Sequence, residues 1–402
     1  MAGRVLLLLI AAALLAIAAV SSHGRIVYGP GVTDTEIRIG QTMPYSGANT
    51  ASGSVGKAHA AYFEMINERG GIHGRRIRLI SRDDGYSPAR TVEETRRLIE
   101  QDNVLLMFGS VGTATQTSVH KYLNARRVPQ LFITSIGLDW GDPKNFPWTM
   151  AFPPNQRIEA VQFVSAIKQL PAAKIGVLYQ NDDYGKGYLR AFKEALGDKA
   201  ASMIVLAASY EGTDPSIDSQ LIALQASGAD VFLDFSTPKF GAFAIRKSYD
   251  LGWRPLHFIT GPSTSVGATL YAAGLEKSVG LVSAGYLKDP TGPQWQSDPG
   301  MKQWLAWMQT YYPQGDVTDS LNVVAYTSAQ LLAYVLTQCG DDLSRENIMR
   351  KATDIKNLEL PMLLPGITIN TSASDYYPIR QAQLRRFDGR GWVQLSDPAH
   401  GR

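Results

Sequence analysis

The sequence predicts an α/β fold of two doubly wound parallel-sheet lobes. Three observations carry that reading. The chain has 402 residues, too many for one ordinary core. From residue 34 to about residue 260, strand-like and helix-like segments alternate, and the rhythm restarts after the Pro-rich stretch 147–154. Short Gly/Ser/Thr loops separate the segments, as at strand ends of open parallel sheets.

In the first block, 36–40 alternates apolar and polar residues as a half-buried strand does. A helix is expected over 53–69, with Val55, Tyr62, Met65 and Ile66 inward and Gly70-Gly71 as its stop. A strand follows at 76–81, and Pro88 opens a helix through Val92 and Ile99. The apolar run 104–108 reads as a strand buried on both faces. A helix at 113–125 and a strand at 129–134 complete the block.

In the second block, helices are expected at 155–170, 185–196, 217–226 and 238–249. Strands are expected at 174–179, 203–207, 231–235 and 257–260. The last third carries helices at 301–311 and 321–338, then a hairpin, 381–387 and 391–395, turning at Asp388-Gly389.

Arg4, the apolar run 5–20 and the small residues Ser21, Ser22 and Gly24 have the order of a secretory signal. Residues 1–24 are read as a signal peptide and the mature protein as periplasmic; a retained anchor is the alternative. Lys plus Arg number 39 against 36 Asp plus Glu, a net +3 with no dense basic block, so a nucleic-acid partner is not expected. The single cysteine, Cys339, excludes an intramolecular disulfide and a multi-thiolate metal site, and reads as a small buried hydrophobe.

Catalytic motifs are missing. Gly185-Lys186-Gly187 lacks the hydroxyl of a phosphate loop, and Gly261-Pro262-Ser263-Thr264-Ser265 lacks the second glycine of a nucleophile elbow. The six histidines are scattered. Asp83-Asp84 and Asp182-Asp183 read as solvated turns rather than cation sites. No catalytic residue, cofactor or metal is therefore assigned, and an enzyme is disfavoured.

Ligands of open α/β sheets bind beyond the carboxyl ends of the strands. There lie Tyr45-Ser46-Gly47, the loop 109–115 that opens directly into a helix, 134–140, 180–185, Ser236-Thr237 and Gly261-Pro262-Ser263. Backbone N–H groups at such a helix start, with hydroxyls beside them, suit a carboxylate or another polar oxygen. Helix capping by Ser110 or Thr113 is the competing role.

Together these residues resemble the solute-binding proteins of branched-chain amino-acid (leucine/isoleucine/valine-type) ABC importers. The resemblance rests on Ile37-Arg38-Ile39-Gly40 with Tyr45-Ser46-Gly47, Asn67-Glu68-Arg69-Gly70-Gly71-Ile72 with Gly74, Asp83-Asp84, Gly109-Ser110, Asn181 to Gly185, and Leu364-Pro365-Gly366. It implies two lobes joined by three hinge crossings, near 153–154, 284–286 and 360–364. Lobe 1 would hold 34–153 and 285–360, and lobe 2 would hold 154–284 and 361–402. The implied ligand-binding set is Tyr45, Ser46, Ser110, Gly112, Thr113, Ser135, Ile136, Asn155, Tyr184, Ser236 and Ser263. Asp139, Arg157 and Arg246 are further candidates.

Where amino-acid receptors of this type hold the ligand ammonium with acids, this chain has Asn155-Gln156 and Ser263. A buried ammonium without an acid is costly. The expected ligand is therefore a neutral or carboxylate-bearing molecule, with an aromatic or other organic acid the leading candidate, rather than a standard α-amino acid. The resemblance implies hinge closure around a small molecule, a membrane permease as partner, and a monomer. A sensor that signals to a membrane receptor is the alternative.

Overall fold

The computed structural model describes residues 27–170 and 172–395. The expected signal peptide lies outside them. Lobe 1 is built on β1 (Glu36–Met43), α1 (Ser54–Glu68), β2 (Arg76–Asp83), α2 (Pro88–Glu100), β3 (Leu106–Phe108), α3 (Thr113–Ala125), β4 (Gln130–Ile133) and β5 (Thr149–Ala151). Its five strands are all parallel, in the order β2-β1-β3-β4-β5. The strand β5 lies in the stretch that the sequence reading took as a Pro-rich joint.

Lobe 2 continues with α4 (Gln156–Ile167), β6 (Ile175–Gln180), α5 (Asp183–Leu196), β7 (Ile204–Tyr210), α6 (Asp218–Ala226), β8 (Val231–Phe235), α7 (Pro238–Asp250), β9 (Leu256–Ile259) and β10 (Val282–Gly285). The chain then returns to lobe 1 as α8 (Pro299–Tyr311), α9 (Ser320–Gln338) and α10 (Arg345–Ala352). It ends in lobe 2 as the hairpin β11 (Gln383–Phe387) and β12 (Trp392–Gln394). The lobe-2 sheet runs β12-β11-β10-β9-β8-β6-β7. Its inner strands are parallel, and the final hairpin adds antiparallel to β10.

The two sheets hold separate cores. Phe63, Phe108, Trp304, Tyr326 and Leu332 belong to one, and Phe163, Tyr188, Phe192 and Phe258 to the other. Cys339 is buried in the first. The chain crosses between lobes after β5, at 285–287, and at 380–382. The third crossing differs from the expected 360–364. There the chain pairs with the second crossing, Leu364 N donating to Tyr286 O at 3.0 Å and Lys288 N to Met362 O at 2.8 Å. It then turns back, and Ile367, Ile369, Tyr376 and Ile379 fill the lobe-1 core. Their burial keeps 361–380 in lobe 1.

The loop after β3 is held from below by a fully buried histidine. His59 pairs through Nδ1 with Gln41 Oε1 at 3.1 Å and through Nε2 with Ser328 Oγ at 3.0 Å, linking α1, β1 and α9. Its ring lies 4.5 Å from that of Phe108 and directly under Gly109, where a Cβ would come within 2.4 Å of it. Burial lowers the imidazole's pKa from 6.5 to about 3. The unfolded chain takes up this proton near pH 6.5 while the folded chain refuses it. The stability is therefore fully present above about pH 6.5, and is lost at about 1.4 kcal/mol per pH unit as pH falls toward 3. His59→Gln is expected to make urea stability fall less steeply between pH 6.5 and pH 4. Identical acid slopes for the two proteins would remove His59 as the source.

Candidate functional site

The lobes meet with their strand-end loops facing one another, and a cavity of ≈ 130 Å³ lies between them. Its walls are mostly apolar or aromatic, including Val111, Ile136, Tyr184, Tyr188, Pro238 and Leu321. The polar groups converge from both lobes. Thr113 and Ser135 come from lobe 1, and Glu159, Thr264 and Arg385 from lobe 2.

Lobe 1 presents the start of α3. Gly112 has φ +107°, a conformation open to glycine, and a Cβ there would lie 2.4 Å from Thr115 Oγ1. No side chain caps this helix. Ser110, one candidate cap, instead accepts from Thr42 N at 3.0 Å. Thr113 Oγ1 turns to Ser135 Oγ at 2.9 Å, and Ser135 also accepts from Trp140 Nε1 at 2.8 Å. The start of α3 thus borders the cavity with no side-chain acceptor capping it, a setting for a ligand oxygen. Ser135 and Ile136 are delivered by an irregularity in β4, where Phe132 has φ +52° and the register against β5 shifts.

Gly112, Thr113, Ser135, Ile136 and Tyr184 are the members of the expected set that line the cavity. Tyr184 also donates through its hydroxyl to Ser236 O at 3.1 Å. The other six turn to structural partners. Tyr45 OH pairs with Ser81 Oγ at 2.6 Å, and Ser46 Oγ donates to Asp83 at 2.6 Å. Ser110 locks β3 to β1, as above. Asn155 caps α4, accepting from Arg157 N at 3.0 Å and Ile158 N at 3.3 Å. Ser236 donates to Asp234, and Ser263 donates to Ser236 O at 2.6 Å. Both serines are fully buried. Small hydroxyl residues at strand ends have unmade backbone bonds close by, and here most of them take those first. Asp139 and Arg157 are exposed and lie near Arg190 and Glu194 respectively, and Arg246 donates to Ala272 O.

Sequence reasoning passed over Glu159, Arg385 and Tyr86. Glu159 lies one helical turn after Asn155, so it faces the same side of α4. It accepts from Gly261 N at 2.8 Å and from the Tyr188 hydroxyl. Burial raises its pKa from 4.5 to about 7. Arg385 arrives on β11, far along the chain, where no local pattern marks it. Tyr86, at φ +58°, reaches from lobe 1 toward Gln180 of lobe 2.

On the far side of the cavity the lobes are latched by Asp319, at the start of α9. Its carboxylate accepts from Leu321 N at 3.0 Å, from Ser54 Oγ of lobe 1 at 2.8 Å and from Ser265 Oγ of lobe 2 at 2.7 Å. Beside it, Gly267 N donates to Thr318 O at 3.1 Å. A Cβ on Gly267 would lie 2.2 Å from Asp316 Oδ2, so the close approach requires glycine.

The family model described as "periplasmic binding protein" matches residues 36–391. Leu/Ile/Val-binding protein homolog 7 of Brucella abortus (strain 2308) is 24% identical over 343 residues, covering 82% of this chain and 84% of that protein. A branched-chain amino acid ABC transporter from Thermus thermophilus, solved with bound valine, superposes with a TM-score of 0.82 at 14% identity, covering 91% of this chain and 97% of that one. A fatty acid ABC transporter substrate-binding protein from Thermomonospora curvata gives 0.77 at 22% identity, covering 94% and 96%. Among the described residues, no helix is long and apolar enough to cross a membrane.

Glu159 sets a pH dependence opposite to that of His59. Its folded pKa is raised, so the stability it permits is fully present below about pH 4.5 and is lost as pH rises through about 7. In Glu159→Gln the carboxamide can still accept from Gly261 N and can donate to the Tyr188 oxygen. The variant is expected to gain on the order of 3 kcal/mol on wild type between pH 5 and pH 8. Parallel thermal melts at the two pH values check this, and equal losses in both proteins would contradict it.

Proposed function

The chain belongs to the periplasmic binding protein family, a family of solute-binding proteins and not of enzymes, and from that premise we propose that it captures a small organic acid for an ABC importer. One observation carries the reading: a cavity between the lobes, apolar over most of its wall, that meets the side-chain-uncapped start of α3. A carboxylate placed there accepts the orphan N–H groups and gains from the positive end of the helix. The apolar body of the acid then lies against Ile136, Tyr184, Tyr188 and Pro238.

Binding in this reading is hinge closure. Contacts to both lobes favour the closed form over the open one, and a change from mostly open to mostly closed needs about 5.5 kcal/mol of differential affinity. A membrane permease would then meet the closed pair of lobe surfaces. The Thermus thermophilus and Thermomonospora curvata neighbours, both described as ABC transporter proteins, support the importer role by analogy of fold.

The expected lack of an acid for an ammonium does not hold for the cavity as a whole, because Glu159 supplies a carboxylate. That gives an α-amino acid reading its own observation. Glu159 is a weak ammonium partner, however. Its two oxygens already accept from Gly261 and Tyr188, and near neutral pH it is about half protonated. The organic acid reading is therefore retained.

A thermal-shift screen of the mature protein against benzoate, phenylacetate, hexanoate, leucine, valine and phenylalanine tests the choice. A true ligand at 100 times its dissociation constant stabilises the native state by about 2.7 kcal/mol. Shifts with acids and none with amino acids are expected; shifts with amino acids alone would overturn the organic acid reading. The latch is tested separately. Ser265→Ala removes one donor from buried Asp319 only when the lobes are closed, a cost of about 1–3 kcal/mol. Apparent affinity for the best acid of the screen should fall about tenfold or more. Ser54→Ala, whose bond to Asp319 stays within lobe 1, should leave it nearly unchanged. Equal effects of the two substitutions would count against the latch.

A further inference from the structure

The cavity has a second polar end, built on lobe 2. Arg385 is 5% exposed and lines the cavity wall. Its guanidinium lies over the Trp392 ring at 4.7 Å, donates from Nη2 to Thr264 Oγ1 at 2.6 Å, and approaches Asp289 Oδ2 from Nη1 at 3.5 Å. Gly285 makes room for it, since a Cβ there would meet Arg385 Nε at 3.0 Å and Cζ at 3.1 Å. Thus the group is fixed on several sides, yet its buried Nε–H has no hydrogen-bond partner among the described residues. Leaving a charged donor unmade is costly. Glu159 stands on the other side of the short turn Gly261–Ser263, held by Gly261 N while Thr264 holds Arg385.

We infer that Arg385 and Glu159 are specificity-determining residues that read an uncharged hydroxyl at the end of the ligand remote from its carboxylate. This rests on the organic acid reading above and deepens it. Charge counting selects the group. The guanidinium already serves Asp289 and faces Glu159, and Lys288, the other cation of the wall, is taken by Asp298, so a second ligand carboxylate would find no unshared cation. An ammonium would meet the guanidinium itself. A hydroxyl accepts from Nε–H, can donate to Glu159 when that group is ionised or accept from it when it is protonated, and brings no charge. It is also a small group that can do both, in a cavity of ≈ 130 Å³. The ligand class is then a hydroxy-substituted carboxylic acid with an apolar body, such as a phenolic acid.

Matched pairs of probes test this: benzoate with para-hydroxybenzoate, and phenylacetate with para-hydroxyphenylacetate, by calorimetric titration of the mature protein. In at least one pair the hydroxylated acid should bind about tenfold tighter or more, the scale of one hydrogen bond to a charged group. Arg385→Met should bring that ratio to about threefold or less, whatever it does to the affinity for the plain acid. Arg385→Lys, which keeps the charge but loses the planar Nε–H donor, should also reduce the ratio. The comparison within wild type needs no variant to fold. Equal affinities within both pairs, or an equal loss for both members on Arg385→Met, would overturn the inference and leave the organic acid reading standing. Binding of phenylalanine with none of the four acids would overturn both.

Discussion

The seam between the two lobes depends on a carboxylate buried where they meet. Asp319 is held out of water there, and burial raises its pKa accordingly. Its partners are hydroxyls and a backbone N–H rather than a cation. An ion pair at this place would have held the lobes more firmly, but its separation would strand two charges. Under the proposed hinge closure, a single hydroxyl from lobe 2 gives a contact weak enough to break on release. The rest of the seam follows the same rule. Tyr86 meets Gln180 through neutral groups, and Gly267 meets Thr318 through backbone atoms. In the proposed hinge closure, weak neutral contacts of this kind would leave the balance between open and closed to whatever occupies the cavity.

That balance explains the division of labour among hydroxyl residues. A cleft of this kind needs rigid loops on each side, and rigidity comes from using hydroxyls inside the protein. Ser110 ties β3 to β1, Ser263 ties its turn to the end of β8, and Ser46 ties the first loop to Asp83. The groups left to face the cavity are mainly backbone N–H groups at α3 and a few side chains locked by neighbours, such as Thr113 on Ser135. Preorganisation of this sort lowers the entropy lost on binding.

The architecture was legible because its signals are local. Alternation along β1 and the apolar runs of β3 and β8 mark strands, and Pro88 and Pro238 mark helix starts. Three kinds of feature were not legible. Strand β5 is too short and too close to prolines to show a period. The segment 361–380 carries ordinary apolar residues whose lobe is decided by tertiary packing alone, so the third crossing was placed too early. In the site, loop position gave Gly112, Thr113, Ser135, Ile136 and Tyr184, but it cannot tell a hydroxyl facing the cavity from one facing the backbone. Glu159 could have been found, since i and i+4 share a helix face and Asn155 was already singled out. Arg385 could not, because it joins the cleft only through the antiparallel pairing of β11 with β10.

This late-arriving arginine also shows why reasoning from missing residues was insufficient. The absence of acids at 155 and 263 was read as a cavity unable to hold a cation. The structure keeps those two positions for capping and for a backbone bond, and places its charges at positions 159, 289 and 385 instead. The charges there are largely spent on one another: Arg385 faces Asp289 and Glu159, while Lys288 pairs with Asp298 at 2.8 Å. Left after this pairing are the positive end of α3 and the Arg385 Nε–H, which has no partner among the described residues, both suited to acceptors. Selectivity in such a cavity follows from the donors left over after the protein has satisfied itself, and both of these call for oxygen on the ligand.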